Sequence, residues 1–160
     1  MYLQGRNRKK EEYRADGKGK LKKVSLSVLI NESTASSSEI FSGAIQDNDR
    51  GVIVGRRSFG KGLVQEPIYF TDGSGIRITV ARFYTPSGRC IQKPYAGADY
   101  EYDIYKRGIE GEMFVKDSIK IDSTEAYRTV SGRIVYGGGG IIPDIFVPVD
   151  TTKATNFYIK

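Results

Sequence analysis

Apolar residues in this chain gather in short runs rather than in long helical stripes. Val24, Leu26, Val28, Leu29 and Ile30 fall in one run, which predicts a mostly buried strand over 24–30. A polar, serine-dense turn follows at 31–38. Over 39–46, Ile40, Phe41, Ala44 and Ile45 recur at helical spacing and predict a helix with those four on its apolar face, ended by Asp47-Asn48-Asp49-Arg50-Gly51. Residues 52–54 read as a short strand and 55–62 as a glycine-bounded loop. Two further strands, 63–70 and 75–83, flank Thr71-Asp72-Gly73-Ser74, whose Asp-Gly pair signals a hairpin. Ile76, Ile78 and Val80 alternate with Arg77 and Thr79, which predicts one buried and one wet face. Pro86-Ser87-Gly88 marks a turn, and 94–118 reads as a tyrosine- and charge-rich excursion of weak periodicity. A four-glycine run at 137–140 precedes the apolar segment 141–147. The fold class this implies is α/β, a strand-rich mixed domain with few helices.

Charge changes little in that picture. The net charge is +6, but residues 1–23 hold nine basic and three acidic side chains, so the rest of the chain is neutral. The body is therefore no basic nucleic-acid surface, and residues 1–23 read as a charged basic lead, solvated, ahead of a domain over 24–160. No apolar run approaches the roughly 20 residues of a membrane span, and no signal peptide opens the chain.

Composition excludes more than charge does. With no histidine and one cysteine, the chain offers no Ser-His-Asp or Cys-His catalysis, no histidine ligand for zinc and no internal disulfide. No cofactor or metal is expected. Proton transfer near neutral pH falls to a carboxylate, a tyrosine, a lysine or Cys90.

Two segments carry candidate chemistry. Ser33-Thr34-Ala35-Ser36-Ser37-Ser38-Glu39 lies between a strand and a helix, where free backbone N–H groups suit a developing oxyanion. Ser36-x-x-Glu39 is also a capping box, which explains the segment without catalysis. The second, Gly55-Arg56-Arg57-Ser58-Phe59-Gly60-Lys61-Gly62, nearly spells a phosphate-binding loop. It fails where Gly62 stands in place of the hydroxyl that binds magnesium, and no helix opens after it. A serine nucleophile without histidine needs another base, and lysine is the available variant. A lysine titrates near 10.4, so acting as a base at pH 7 requires a fall of roughly three units, about 4 kcal/mol. Lys61 has Phe59, Leu63 and Val64 around it, and Gln65, four residues on, is placed to give it a neutral hydrogen bond. The residues themselves leave Ser33, Ser36, Ser37 and Ser38 open as nucleophile.

The stretch VSLSVLINESTASSSEIFSGAIQDNDRGVIVGRRSFGKGLVQ, continuing through DGSGIRITVARFYTPSGR, resembles the carboxyl-terminal processing (tail-specific) serine protease family, and GGGGIIPDIFV resembles its distal signature. The resemblance covers about 24–95 and 130–147. It implies a ClpP/crotonase-like protease core, of which this chain is the C-terminal portion, without a PDZ domain. The family's nucleophile, the middle serine of S-A-S-A-S-E, falls on Ser36. Its general base, the lysine of F-G-K-G, falls on Lys61, 25 residues later, and its lysine-orienting glutamine on Gln65. The backbone N–H of Ser37 would supply one oxyanion donor.

Two residues depart from the family pattern. Ser37 replaces the usual alanine, and Cys90 stands where serine is common; Cys90 is given no role. The upstream glycine-rich segment that supplies the family's second oxyanion donor does not precede Val24, so the resemblance implies a chain weak or inactive alone. Implied partners are protein or peptide substrates held by extended C-terminal segments, with no nucleic acid; the oligomeric state, a dimer included, stays open. For a bacterial parent the implied location is the periplasm or cell envelope. The competing reading is a non-catalytic peptide-binding or scaffold module that uses exposed strand edges. Acyl-thioester chemistry, suggested by fold alone, is a third and would not need the Ser–Lys pair.

Overall fold

The computed structural model describes residues 1–95 and 99–151. In chain order the strands are β1 (Tyr2–Gln4), β2 (Glu11–Glu12), β3 (Ser27–Ile30), β4 (Val52–Gly55), β5 (Leu63–Tyr69), β6 (Gly75–Tyr84), β7 (Ala126–Arg128), β8 (Ile134–Tyr136) and β9 (Ile145–Phe146). The helices are α1 (Ser37–Asp47) and α2 (Asp99–Ile109). The strand-rich α/β class expected from the sequence is the one observed.

The site sits on a β3–α1–β4 unit. β3 and β4 run parallel with Ser27 opposite Val52 and Ile30 opposite Gly55, and β9 joins β4 in parallel on its other side. Ile53, at the centre of β4, is fully buried and packs with Ile30, Ile91 and Ile141, flanked by Val28 and Ile45. Asp144, just ahead of β9, fixes this layer: it accepts the Ile53 N–H at 2.8 Å, and its own N–H donates to the Ile53 carbonyl at 2.8 Å.

Four elements differ from the pattern reading. The strand predicted over 24–30 narrows to β3, which among the described residues is an edge strand bonded only to β4, and Leu29 is 79% exposed. Helix α1 buries Glu39, Ser42, Gly43, Gln46 and Asp47, while Phe41 of the predicted apolar face is 53% exposed. The reason is the partner surface. Gln46 and Asp47 face the buried guanidinium of Arg89, which donates to both at 2.7 and 2.8 Å.

The β5–β6 hairpin forms as predicted, yet Ile76 and Ile78 are exposed with Arg77 and Thr79. Within β6, β1 pairs with Arg82–Tyr84 at the hairpin's base, so among the described residues the outer half is a two-stranded ribbon, exposed on both strands. The 94–118 excursion contains α2, whose polar and aromatic composition hid its period. Residues 13–25 are exposed, but β1 and β2, earlier in the 1–23 lead, join the β6 sheet.

Candidate active site

Ser36 caps α1 with φ 59° and ψ −120°. Among the described residues only Ser36 and Asp49 have positive φ without being glycine. Holding a serine there costs about 1–3 kcal/mol, and such strain gathers at functional turns. The capping box is present: the Ser36 N–H donates to the Glu39 carboxylate at 2.9 Å. Ser37 opens the helix and is exposed, so its N–H has no intrahelical acceptor.

Glu39 does much more than cap. Its side chain is fully buried and reaches across to the 55–62 loop. The Oε2 atom that accepts from Ser36 also accepts the Lys61 N–H at 2.8 Å. Oε1 accepts the Gly60 N–H at 2.6 Å and the Ser58 hydroxyl. All four partners donate, which suits an acceptor-only carboxylate. The backbone nitrogens of Ser36 and Lys61 therefore lie within two hydrogen-bond lengths of each other. The same bonds answer the phosphate-loop resemblance: the amides of Gly60 and Lys61 already hold an internal anion.

The lysine loop is tied on every side. The Phe59 N–H donates to the Thr34 carbonyl at 2.9 Å, binding this loop to the serine turn. Ser58 exchanges bonds with Ile141: its hydroxyl accepts the Ile141 N–H at 2.7 Å and its own N–H donates to the Ile141 carbonyl at 3.0 Å. Gln92 accepts the Gly62 N–H at 2.8 Å. Gly60 has φ +91°, and a Cβ there would meet Gly140 N and Lys93 Cβ at 3.2 Å. Gly140, φ +88°, would put a Cβ 2.8 Å from the Ser58 carbonyl oxygen, so the glycine run and the F-G-K-G loop touch backbone to backbone.

Of the four residues singled out by sequence, the structure ties the Ser36 and Lys61 backbones to one carboxylate, and Ser37 follows Ser36 as the first residue of α1. Among the described residues no hydrogen bond joins the Ser36 hydroxyl to the Lys61 ammonium, or Lys61 to the Gln65 amide. Gln65 lies in β5 opposite Thr79, at a register shift that leaves Val80 unpaired in β6. Cys90 is half-buried, and burial pushes its thiol above the ordinary range.

Sequence reasoning saw Glu39 only as a capping partner. It missed Ser58, Arg107 and Glu112 altogether. The capping-box spacing Ser36-x-x-Glu39 was the one signal for Glu39; nothing local marks the other three.

Comparison with known proteins adds kinship to this geometry. The model of peptidase family S41 matches residues 1–104. The chain is 46% identical over 91 residues to the chloroplastic C-terminal processing peptidase of Tetradesmus obliquus, covering 57% of this chain and 20% of that protein. It is 43% identical over 93 residues to a carboxyl-terminal-processing protease of Synechocystis sp., covering 58% and 22%. A carboxy-terminal-processing protease of Bartonella bacilliformis is 52% identical over 65 residues, covering 41% and 15%. Among solved structures, the photosystem II D1 C-terminal processing protease aligns with a TM-score of 0.41 and 30% identity, over 78% of this chain and 20% of that one. The matched region spans about a fifth of the length of these relatives. With the family model covering well over half of its residues, the chain belongs to peptidase family S41.

Proposed function

We propose that this chain carries the nucleophile and general base of a carboxyl-terminal processing serine peptidase. Ser36 attacks the peptide carbonyl, and Lys61, uncharged, takes the hydroxyl proton as the Oγ–carbon bond forms. The proton then passes to the departing amine as the peptide bond breaks, and water hydrolyses the acyl-serine. Gln65 orients the lysine, and the Ser37 N–H faces the oxyanion at the helix N-terminus.

The observation that supports this reading best is the Glu39 carboxylate. One oxygen accepts from the backbone of both Ser36 and Lys61, so two residues 25 apart in sequence are held at one point. A capping box alone needs no such reach. The strained backbone at Ser36 supports the same reading.

The substrates proposed are proteins entered from an extended C-terminal segment. The named relatives include chloroplast and bacterial proteins, so periplasmic location is proposed only for a bacterial parent. Among the described residues no helix is long and apolar enough to cross a membrane.

A fluorophosphonate probe, which phosphonylates activated serines, tests the reading on this chain and on longer protein that contains it. Labelling should map to Ser36 and fall by about a hundredfold or more in Ser36→Ala and in Lys61→Ala. No labelling in either protein, or labelling indifferent to Lys61→Ala, would overturn it.

A further inference from the structure

The 94–118 excursion reaches back to the lysine loop through two buried side chains. Arg107, in α2, is 3% exposed, and so is Glu112, just beyond the helix. The Arg107 guanidinium donates to the Ser58 carbonyl at 3.0 Å, to the Arg57 carbonyl at 2.7 Å and to Glu112 Oε1 at 2.8 Å. Glu112 in turn takes both donors of the Arg57 fork, Nε at 2.8 Å and an Nη. Next to them the Lys93 ammonium lies over the Phe59 ring at 3.8 Å and pairs with Asp103 of α2 at 3.1 Å.

The loop is thus gripped from two sides. Glu39 takes its N–H groups at Gly60 and Lys61. Arg107 takes its carbonyls at Arg57 and Ser58, with Phe59 between the two grips. Stability is a weak reason for such an arrangement, since a buried ion pair is often no better than apolar packing of the same volume. What a planar guanidinium adds is a rigid fork that fixes two carbonyls and a carboxylate at once.

From this we infer that Arg107 and Glu112 are positioning residues, which set the placement of Lys61 by clamping the loop that carries it. The inference rests on the proposed role of Lys61 as base. Both residues lie past the stretch matched by the family model, which ends at residue 104.

Two variants of the full chain test the clamp: Arg107→Lys, which keeps the charge and loses the fork, and Glu112→Gln, which keeps the shape. Amide hydrogen exchange at Gly60 and Lys61 is read against Ile53 in the core. Fluorophosphonate labelling of Ser36 is followed as a function of pH. Exchange at Gly60 and Lys61 should quicken about tenfold with Ile53 unchanged, because only the loop is released. Labelling should slow by about tenfold to a hundredfold, with its pH midpoint displaced, as expected for a misplaced base. A merely structural residue would scale the labelled fraction and leave the midpoint where it was.

Unchanged exchange at Gly60 and Lys61 in both variants, or exchange rising in step with Ile53, would overturn the clamp. Wild-type protein that is never labelled, in this chain or in longer protein that contains it, would instead sink the Ser36–Lys61 reading, and the exchange result would still decide whether the clamp holds the loop.

Discussion

Glu39 shows how much one buried side chain can organise. Replacing a carboxylate oxygen with an amide NH2 sets a donor against donors: turned either way, Glu39→Gln leaves two of the four partners facing the wrong group. Each buried donor left without an acceptor costs about 1–3 kcal/mol. The variant should therefore lose about 2 kcal/mol or more of folding stability, measured as a fall in the urea midpoint, and should label at Ser36 far more slowly than wild type. An unchanged midpoint would mean that the loop does not depend on this carboxylate. Local pattern could identify Glu39 as the third residue of a helix that begins with serine, because capping boxes span four residues. It could not identify the bonds to residues 58–61, which are set by where the chain returns after β4. The same limit applies to choosing Ser36 among four serines: composition forced the search for a non-histidine base, and family resemblance made the choice.

Among the elements, α1 departs most from ordinary amphipathic logic. Its sequence carries an apolar stripe, and that stripe is partly in solvent; the buried side is Glu39, Ser42, Gly43, Gln46 and Asp47. Gly43 permits the close approach, since a Cβ there would sit 2.7 Å from the Thr85 methyl. Asp47 closes a buried pair with Arg89 and also accepts the Ser87 N–H at 3.0 Å, so the Ser-Gly-Arg turn is fastened to the end of the helix. The usual ranking of substitutions should invert here. Phe41→Ala should cost less than about 1 kcal/mol, as a largely exposed change does. Asp47→Asn should cost about 3–5 kcal/mol, because it strands the Arg89 charge in the interior. Urea unfolding of the two variants side by side checks the order, and a larger loss for Phe41→Ala would refute it. Periodicity gave the helix and its ends nearly to the residue, and located the β5–β6 hairpin by its Asp-Gly turn. It misjudged which faces are buried because burial depends on what packs opposite. Polar faces that meet an arginine, and strands that stand at an edge, read the same as any others.

For the molecule as a whole, the apolar core is small and buried ion pairs lie around it. Arg89–Asp47 and Arg107–Glu112 are nearly inaccessible, while Arg57, Arg56–Glu32 and Arg133–Asp49 lie closer to the surface. Several carboxyls consequently titrate below their ordinary values. Burial would raise Asp49, but the Ser131 amide and hydroxyl, Arg133 and Thr129 outweigh it and hold the group well below the usual carboxylate range. Burial likewise opposes, and Arg56 overcomes, in lowering Glu32. On the surface, the Lys10 and Arg14 side chains hold Glu12 at about 2. Unfolded, these groups would take up protons near pH 4. Between that pH and the lower folded values, the unfolded chain binds protons that the folded chain refuses, so acid favours unfolding. The absent histidines complete the argument: no imidazole titrates between pH 5 and 8, so that range holds no comparable proton uptake. Urea midpoints should stay level from pH 8 to about 5 and fall steadily below about 4. Asp49→Asn, which cannot titrate, should make that fall shallower. A midpoint that holds through pH 3, or an Asp49→Asn slope as steep as wild type, would show that these pairs do not carry the acid sensitivity of the fold.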